Sequence, residues 1–229
     1  MTLKKCFMTL AFGLMTLVAQ ATTLEEQSQL MAANMYDYMV MSYYQQGKFK
    51  QALPWAEKAF KIKTEVLGEK HPTTLASLNN LAMLYQNLGR LSEALPLVKK
   101  GYRLAKEVLG EKHRDTLTSL NNLAGIYQQL GRLSEALPLF EKAYRLTKDA
   151  IGKKHPSTII SLNNLATIYH NLGHAADALP LFETGYHLSK EVLGEKHRQT
   201  LTSLNNLALS YNHLGRLKEA LPLLETGYR

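Results

Sequence analysis

The chain has 229 residues, 45% hydrophobic and 20% charged, a balance that suits a folded chain and excludes a disordered one. Its single cysteine, Cys6, rules out an internal disulfide or a cysteine metal cluster. A formal charge of +8 is moderately basic, for which a solvated face is the expected reading and a patch for an anionic membrane or nucleic acid the alternative.

The amino terminus differs from the rest. Lys4 and Lys5 precede an apolar run from Phe7 to Val18, and Ala19-Gln20-Ala21 has the small-x-small form of a signal peptidase site. Residues 1–21 are therefore expected to be a cleaved secretory signal, with a mature chain that begins at Thr22 in the periplasm or medium. The run is interrupted by Thr9, Gly13 and Thr16 and is shorter than the about 20 apolar residues that span a bilayer. No stable membrane span is expected; an anchor formed by residues 7–18 is the alternative. Losing Lys4 and Lys5 with the signal would reduce the charge to +6 and leave no cysteine. Residues 22–29 read as a polar lead-in.

From about residue 30 the chain repeats itself. Leu78-Asn79-Asn80-Leu81-Ala82 recurs at Leu120 to Ala124, Leu162 to Ala166 and Leu204 to Ala208, each copy 42 residues after the last. Gly68, Gly110, Gly152 and Gly194 share one column, Gly89, Gly131, Gly173 and Gly215 a second, and Pro54, Pro96, Pro138, Pro180 and Pro222 a third. A fixed period of this size marks an array of supersecondary units that bury their apolar faces against neighbours. The units run over about 30–68, 72–110, 114–152, 156–194 and 198–229, the last incomplete. In the first, Asp37 and Tyr38 stand where later units have paired asparagines, and Met31, Met35, Met39 and Met41 supply adaptable core filling. Terminal units are expected to depart in this way.

Each unit predicts two helices. The first runs from Pro72 or Thr73 to Leu88 and places Leu78, Leu81, Ala82, Tyr85 and Leu88 on one stripe of a 3.6-residue period. Gly89 ends it. The second is expected to start at Ser92 as N-cap, followed by Glu93 at the positive end of the helix dipole, and to turn Leu95, Val98, Tyr102, Ala105 and Leu109 inward before a left-handed Gly110 cap. On that register Pro96 is the fourth helical residue, where a proline is tolerated.

The histidines of the linkers, His71, His113, His155 and His197, sit at equivalent places in different units, too far apart to share an ion, and are expected to bond locally. Glu93, Glu135, Asp177 and Glu219 are one unit apart and explained by helix dipoles, so no paired carboxylates are expected. No nucleophile and base, phosphate loop or metal cluster is legible; neither catalysis nor a cofactor is expected. Lys99, Lys100, Arg103 and Lys106, with Lys142, Arg145 and Lys148, fall opposite the apolar stripe of the second helices, as on a solvated face.

Opposite the apolar stripe of the first helices lies a ladder of amides. At 100° per residue Asn80 groups with Ala76, Met83 and Asn87. Its equivalents are Asn122 with Thr118, Gly125 and Gln129; Asn164 with Ile160, Thr167 and Asn171; and Asn206 with Thr202, Leu209 and His213. Asn79, Asn121, Asn163 and Asn205 fall on the flank, where bonds between units are expected. An amide both donates and accepts, so such a ladder suits an extended peptide backbone.

The run Asn-Asn-Leu-Ala-x-x-Tyr-x-x-x-Gly-x-x-x-x-Ala, as in Asn79 to Ala94, resembles the tetratricopeptide signature. The 42-residue period and the linker Leu67-Gly68-Glu69-Lys70-His71-Pro72 resemble its kinesin-light-chain-like subclass, and the likeness covers residues 30 to 229. The resemblance implies an all-α fold, a right-handed superhelical solenoid of antiparallel helix pairs. It implies a binding scaffold for a peptide or protein, gripped by concave asparagines at the positions of Asn80, Asn122, Asn164 and Asn206. Export argues against nucleic acid as partner, and the oligomeric state is left open. The alternative is the regulatory or sensor array of a larger effector enzyme whose catalytic domain is absent from this chain.

Overall fold

The computed structural model describes the backbone of residues 3–227 and the side chains of residues 23–225, and every element in that range is an α-helix. The signal expected at residues 1–21 lies outside the described side chains. The helices pair across short turns: α1 (Leu3–Gln45) with α2 (Phe49–Leu67), α3 (Pro72–Asn87) with α4 (Leu91–Leu109), α5 (Arg114–Gln129) with α6 (Leu133–Ile151), α7 (Pro156–Asn171) with α8 (Ala175–Leu193), and α9 (Arg198–His213) with α10 (Leu217–Gly227). Thr23 to Gln29, read as a lead-in, are helical within α1. Among the described residues no helix is long and apolar enough to cross a membrane.

Two kinds of turn alternate. Between the helices of a pair, Gly131 has a φ of +71° and its N–H donates to the Gln128 carbonyl at 3.0 Å, while the Arg132 N–H reaches back to Tyr127 at 2.9 Å. These bonds close the helix end and need the positive φ that glycine adopts without a Cβ penalty. Between pairs, Gly152 ends α6 with φ +83° and ψ 162°. That is an extended conformation open essentially only to glycine, and not the left-handed helical cap expected of this column.

The second helices begin two residues earlier than the sequence predicts. Arg132 is the N-cap of α6 and its side chain makes no capping bond; it lies against Glu135 three residues on, as Arg90 does against Glu93 at 2.6 Å. Ser92 is helical, and its hydroxyl bonds Glu93 at 3.2 Å. The arginine and glutamate pair thus sets the start that the serine was expected to set. Pro96 consequently lies in the sixth helical position, so α4 loses a full helical bond to the Ser92 carbonyl. Pro54, Pro96, Pro138, Pro180 and Pro222 are all exposed, as are the residues one turn back whose carbonyls lose the bond.

The first helices are capped by the linker histidines. Nδ1 of His71, His113, His155 and His197 accepts from the backbone N–H two residues on at 3.3, 3.2, 3.1 and 3.1 Å, which is the local role expected of them.

The chain divides into two compact units, Met1–Leu97 and Val98–Arg229. In the first, Val40, Ala52, Ala56, Leu81 and Leu84 form a buried cluster ringed by Tyr43, Tyr44, Phe49, Leu53 and Trp55. Beside it the ammonium of Lys63, only 4% exposed, is paired with Asp37, whose other oxygen accepts from the Ser77 hydroxyl at 3.3 Å. In the second, Leu117, Leu120, Ala143 and Leu146 form one buried cluster and Ala166, Ala178, Phe182 and Leu207 another.

Here the flank asparagines stitch neighbouring first helices. Asn121 donates to the Ser161 hydroxyl at 3.2 Å, and Asn163 to Ser203 at 2.7 Å. Asn163 fits only because its neighbour on α8 is Gly185: a Cβ there would lie 2.2 Å from the amide oxygen.

Candidate functional site

The ladder read from the sequence lies on open surface. On α3, Asn87 and Ala76 are exposed and Asn80 and Met83 half-buried. On α5, Thr118, Asn122 and Gln129 are exposed around half-buried Gly125; on α7, Ile160 and Asn171 flank half-buried Asn164 and Thr167; on α9, Thr202, Leu209 and His213 are exposed around half-buried Asn206. The bonds from Asn121 to α7 and from Asn163 to α9 hold these last three helices side by side, so their stripes form one face within the second unit.

Hydrogen bonding sorts the members of that face. Thr118, Thr167 and Thr202 donate to carbonyls one turn back at 3.0, 2.8 and 3.0 Å, and Asn87 does the same to Met83 at 2.8 Å. These groups serve the helix backbone. No described residue bonds the side-chain amides of Asn80, Asn122, Gln129, Asn164, Asn171 or Asn206, so each offers two donors and an acceptor outward. In the first unit the equivalent places on α1 are Asn34, Tyr38, Met41 and Gln45, with Tyr38 74% and Met41 46% exposed. The Ser77 to Asp37 bond sets α1 beside α3, and there the exposed Tyr38 and Met41 stand among the amides of Asn34, Gln45 and Asn80.

A second polar motif braces the repeat without facing that ladder. Tyr85, Tyr169 and Tyr211 donate to Glu57, Glu141 and Glu183 of the preceding second helix at 2.9, 2.8 and 2.6 Å. The hydrogen bond to Glu183, and then burial, push the Tyr211 phenol above its ordinary value, so it stays protonated and donating. At Tyr127 the column has Lys99 instead, which sits over the ring at 5.3 Å. The basic positions of the second helices are partly neutralised: Lys106 and Lys142 share Glu111 at 3.2 and 2.7 Å, which holds that carboxyl below the usual carboxylate range.

His213 does not stand alone at the end of its stripe. Its ring centre is 4.4 Å from that of His170 on α7, a contact at an offset of 43 residues that no helical stripe reveals. Among the described residues no group of three or more histidines, cysteines or acids gathers as a metal site would.

Among the described residues, ten helices in antiparallel pairs that recur every 42 residues define a helix-pair repeat protein of the solenoid class. The tetratricopeptide repeat model matches residues 31–107, 79–149, 115–188 and 157–229, and the chain belongs to that family. The solved structures it is similar to include a Podosopora anserina protein assigned to the kinesin light chains, built of nearly identical TPR-like repeats. That likeness has 29% identity and a TM-score of 0.73, covering 85% of this chain and 92% of that one. BtubC (BKLC) from P. vanneervenii is similar at 19% identity and a TM-score of 0.76, covering 93% of this chain and 85% of that one. A Rap protein complexed with Competence and Sporulation Factor is similar at 16% identity and a TM-score of 0.72, covering 86% of this chain and 53% of that one; these two show the fold alone. No curated protein matches the chain. The repeats are thus kinesin-light-chain-like, and the fold is that of a protein interaction scaffold.

Proposed function

We propose that this scaffold holds an extended peptide, or an extended segment of a protein, across the face formed by α5, α7 and α9, and that it has no catalysis of its own. The observation that carries the reading is that Asn122, Asn164 and Asn206 recur once per repeat on open surface with no partner among the described residues. A backbone alternates donors and acceptors, and a row of amides meets it whatever its side chains are. The Rap protein of the same fold is known in complex with Competence and Sporulation Factor, which supports the capacity of such a scaffold to hold a ligand. With a partner recovered by affinity capture, Asn122→Ala together with Asn164→Ala should weaken binding by about 1 to 3 kcal/mol while the melting temperature stays within a degree or two. A variant that melts much earlier yet binds normally while folded would assign the ladder to architecture.

We also infer export, supported by Ala19-Gln20-Ala21 after a short apolar run behind Lys4 and Lys5. Sequencing the protein recovered from outside the cytoplasm should give Thr22 as its first residue. An intact Met1 or Thr2 terminus on cytoplasmic protein would overturn this.

A further inference from the structure

We propose that His170 and His213 form a two-histidine site for a first-row transition-metal dication, zinc or copper, with water completing the coordination. The two residues lie near the ends of α7 and α9, first helices of adjacent repeats. One repeat earlier the same two places are held by Gln128 and Asn171, so the pair occurs once in the second unit. Their ring centres are 4.4 Å apart with planes inclined at 36°. An ion about 2.1 Å from an imidazole nitrogen lies about 3.2 Å from the ring centre, so two rings bound to one ion at 90 to 110° have centres about 4.5 to 5.2 Å apart. The observed separation lies just below that range, and a small side-chain rotation brings the rings into it.

The surroundings favour a cation that takes neutral imidazole. His170 is half-buried, with the edge of the Phe182 ring against it at 6.2 Å, and its Nδ1 is closed to solvent and has no hydrogen-bond partner. No protein group competes for the lone pair of that ring. His213 is exposed, so an ion reaches its ring directly from solvent. Imidazole suits zinc and copper, and copper(II) should bind the more tightly of the two by the usual order of divalent ions. With two protein ligands the site keeps open positions, as catalytic and exchangeable metal sites do and closed structural ones do not. Bound metal would clip α7 to α9 at the edge of the amide face, independently of whether that face holds a peptide.

The test uses the full chain stripped of metal and titrated with zinc chloride by calorimetry, with melting followed in parallel. One equivalent should bind and raise the melting temperature. His170→Gln and His213→Asn restore the side chains of Gln128 and Asn171, so each variant should fold as the parent does. Each should lose at least about tenfold in zinc affinity and most of the thermal shift, while His197→Gln changes neither. Cobalt(II) added to the parent should shift the ring proton signals of His170 and His213 before those of the remaining histidines, a result that needs no variant. A flat zinc titration to millimolar concentration, full affinity retained in the doubly substituted chain, or earlier shifts at the linker histidines would each overturn the proposal.

Discussion

Replacing Asp37 by alanine should destabilise the Met1–Leu97 unit by about 3 to 5 kcal/mol, the penalty of leaving a buried charge without its partner. The ammonium of Lys63 is 4% exposed and lies against Asp37; the Ser77 hydroxyl takes the second carboxylate oxygen at 3.3 Å, and Thr74 bonds the Lys63 carbonyl at 3.1 Å. An exposed pair would contribute about 0 to 1 kcal/mol. Burial of the lysine makes the difference: its side chain is 5% exposed, against 26% for that of Asp37. Later repeats meet the same geometry with neutral groups: Asn163 donates to Ser203, which also bonds Ser189 at 3.1 Å in the column of Lys63. Asp37→Asn combined with Lys63→Met, which removes both charges and keeps the volume, should therefore recover most of the loss. Urea unfolding decides it through midpoints at constant slope. A loss below about 1 kcal/mol for Asp37→Ala would mean that water reaches the ammonium and the pair behaves as a surface one.

What could be read from the sequence follows from one periodicity. Once the 42-residue repeat fixes helices, 100° per residue separates Leu120 and Leu123 from Asn122, and the structure buries the first two and exposes the third. The same rotation puts Asn121 and Asn163 on the flank, where they do bond the next helix. Contacts that join different columns were not legible. Lys63 meets Asp37 across 26 residues and His170 meets His213 across 43, separations set by how helices pack and not by where a side chain points on its own helix. The cap at Ser92 failed for another reason: propensity favours serine, but Gly89 with the Arg90 to Glu93 pair closes the turn two residues earlier. Which asparagines are free was also beyond the sequence, since it depends on neighbours that fold into place from the next repeat.

Leu120→Ala should cost roughly 2 to 5 kcal/mol, the range for deleting a buried leucine side chain and leaving part of its volume empty. Leu120 is fully buried among Leu117, Ala143 and Leu146, with Tyr102 and Leu139 packed against the cluster. The cluster draws on α4, α5 and α6, so little of the cavity can close by shifting a single element. In an array each repeat is stable largely through its interfaces, so the loss should spread to the neighbouring helix pair and lower the whole transition of the Val98–Arg229 unit. Asn122 lies two residues further along the same helix and about 200° round it, on the open face. The two substitutions should consequently separate: Leu120→Ala lowers the melting temperature and leaves the affinity of the folded fraction unchanged, and Asn122→Ala lowers affinity at unchanged melting. Melting curves and partner titrations below the transition on both variants test this. If Leu120→Ala were nearly neutral, or if it abolished binding by protein that is still fully folded, the division of α5 into a core face and a partner face would be wrong.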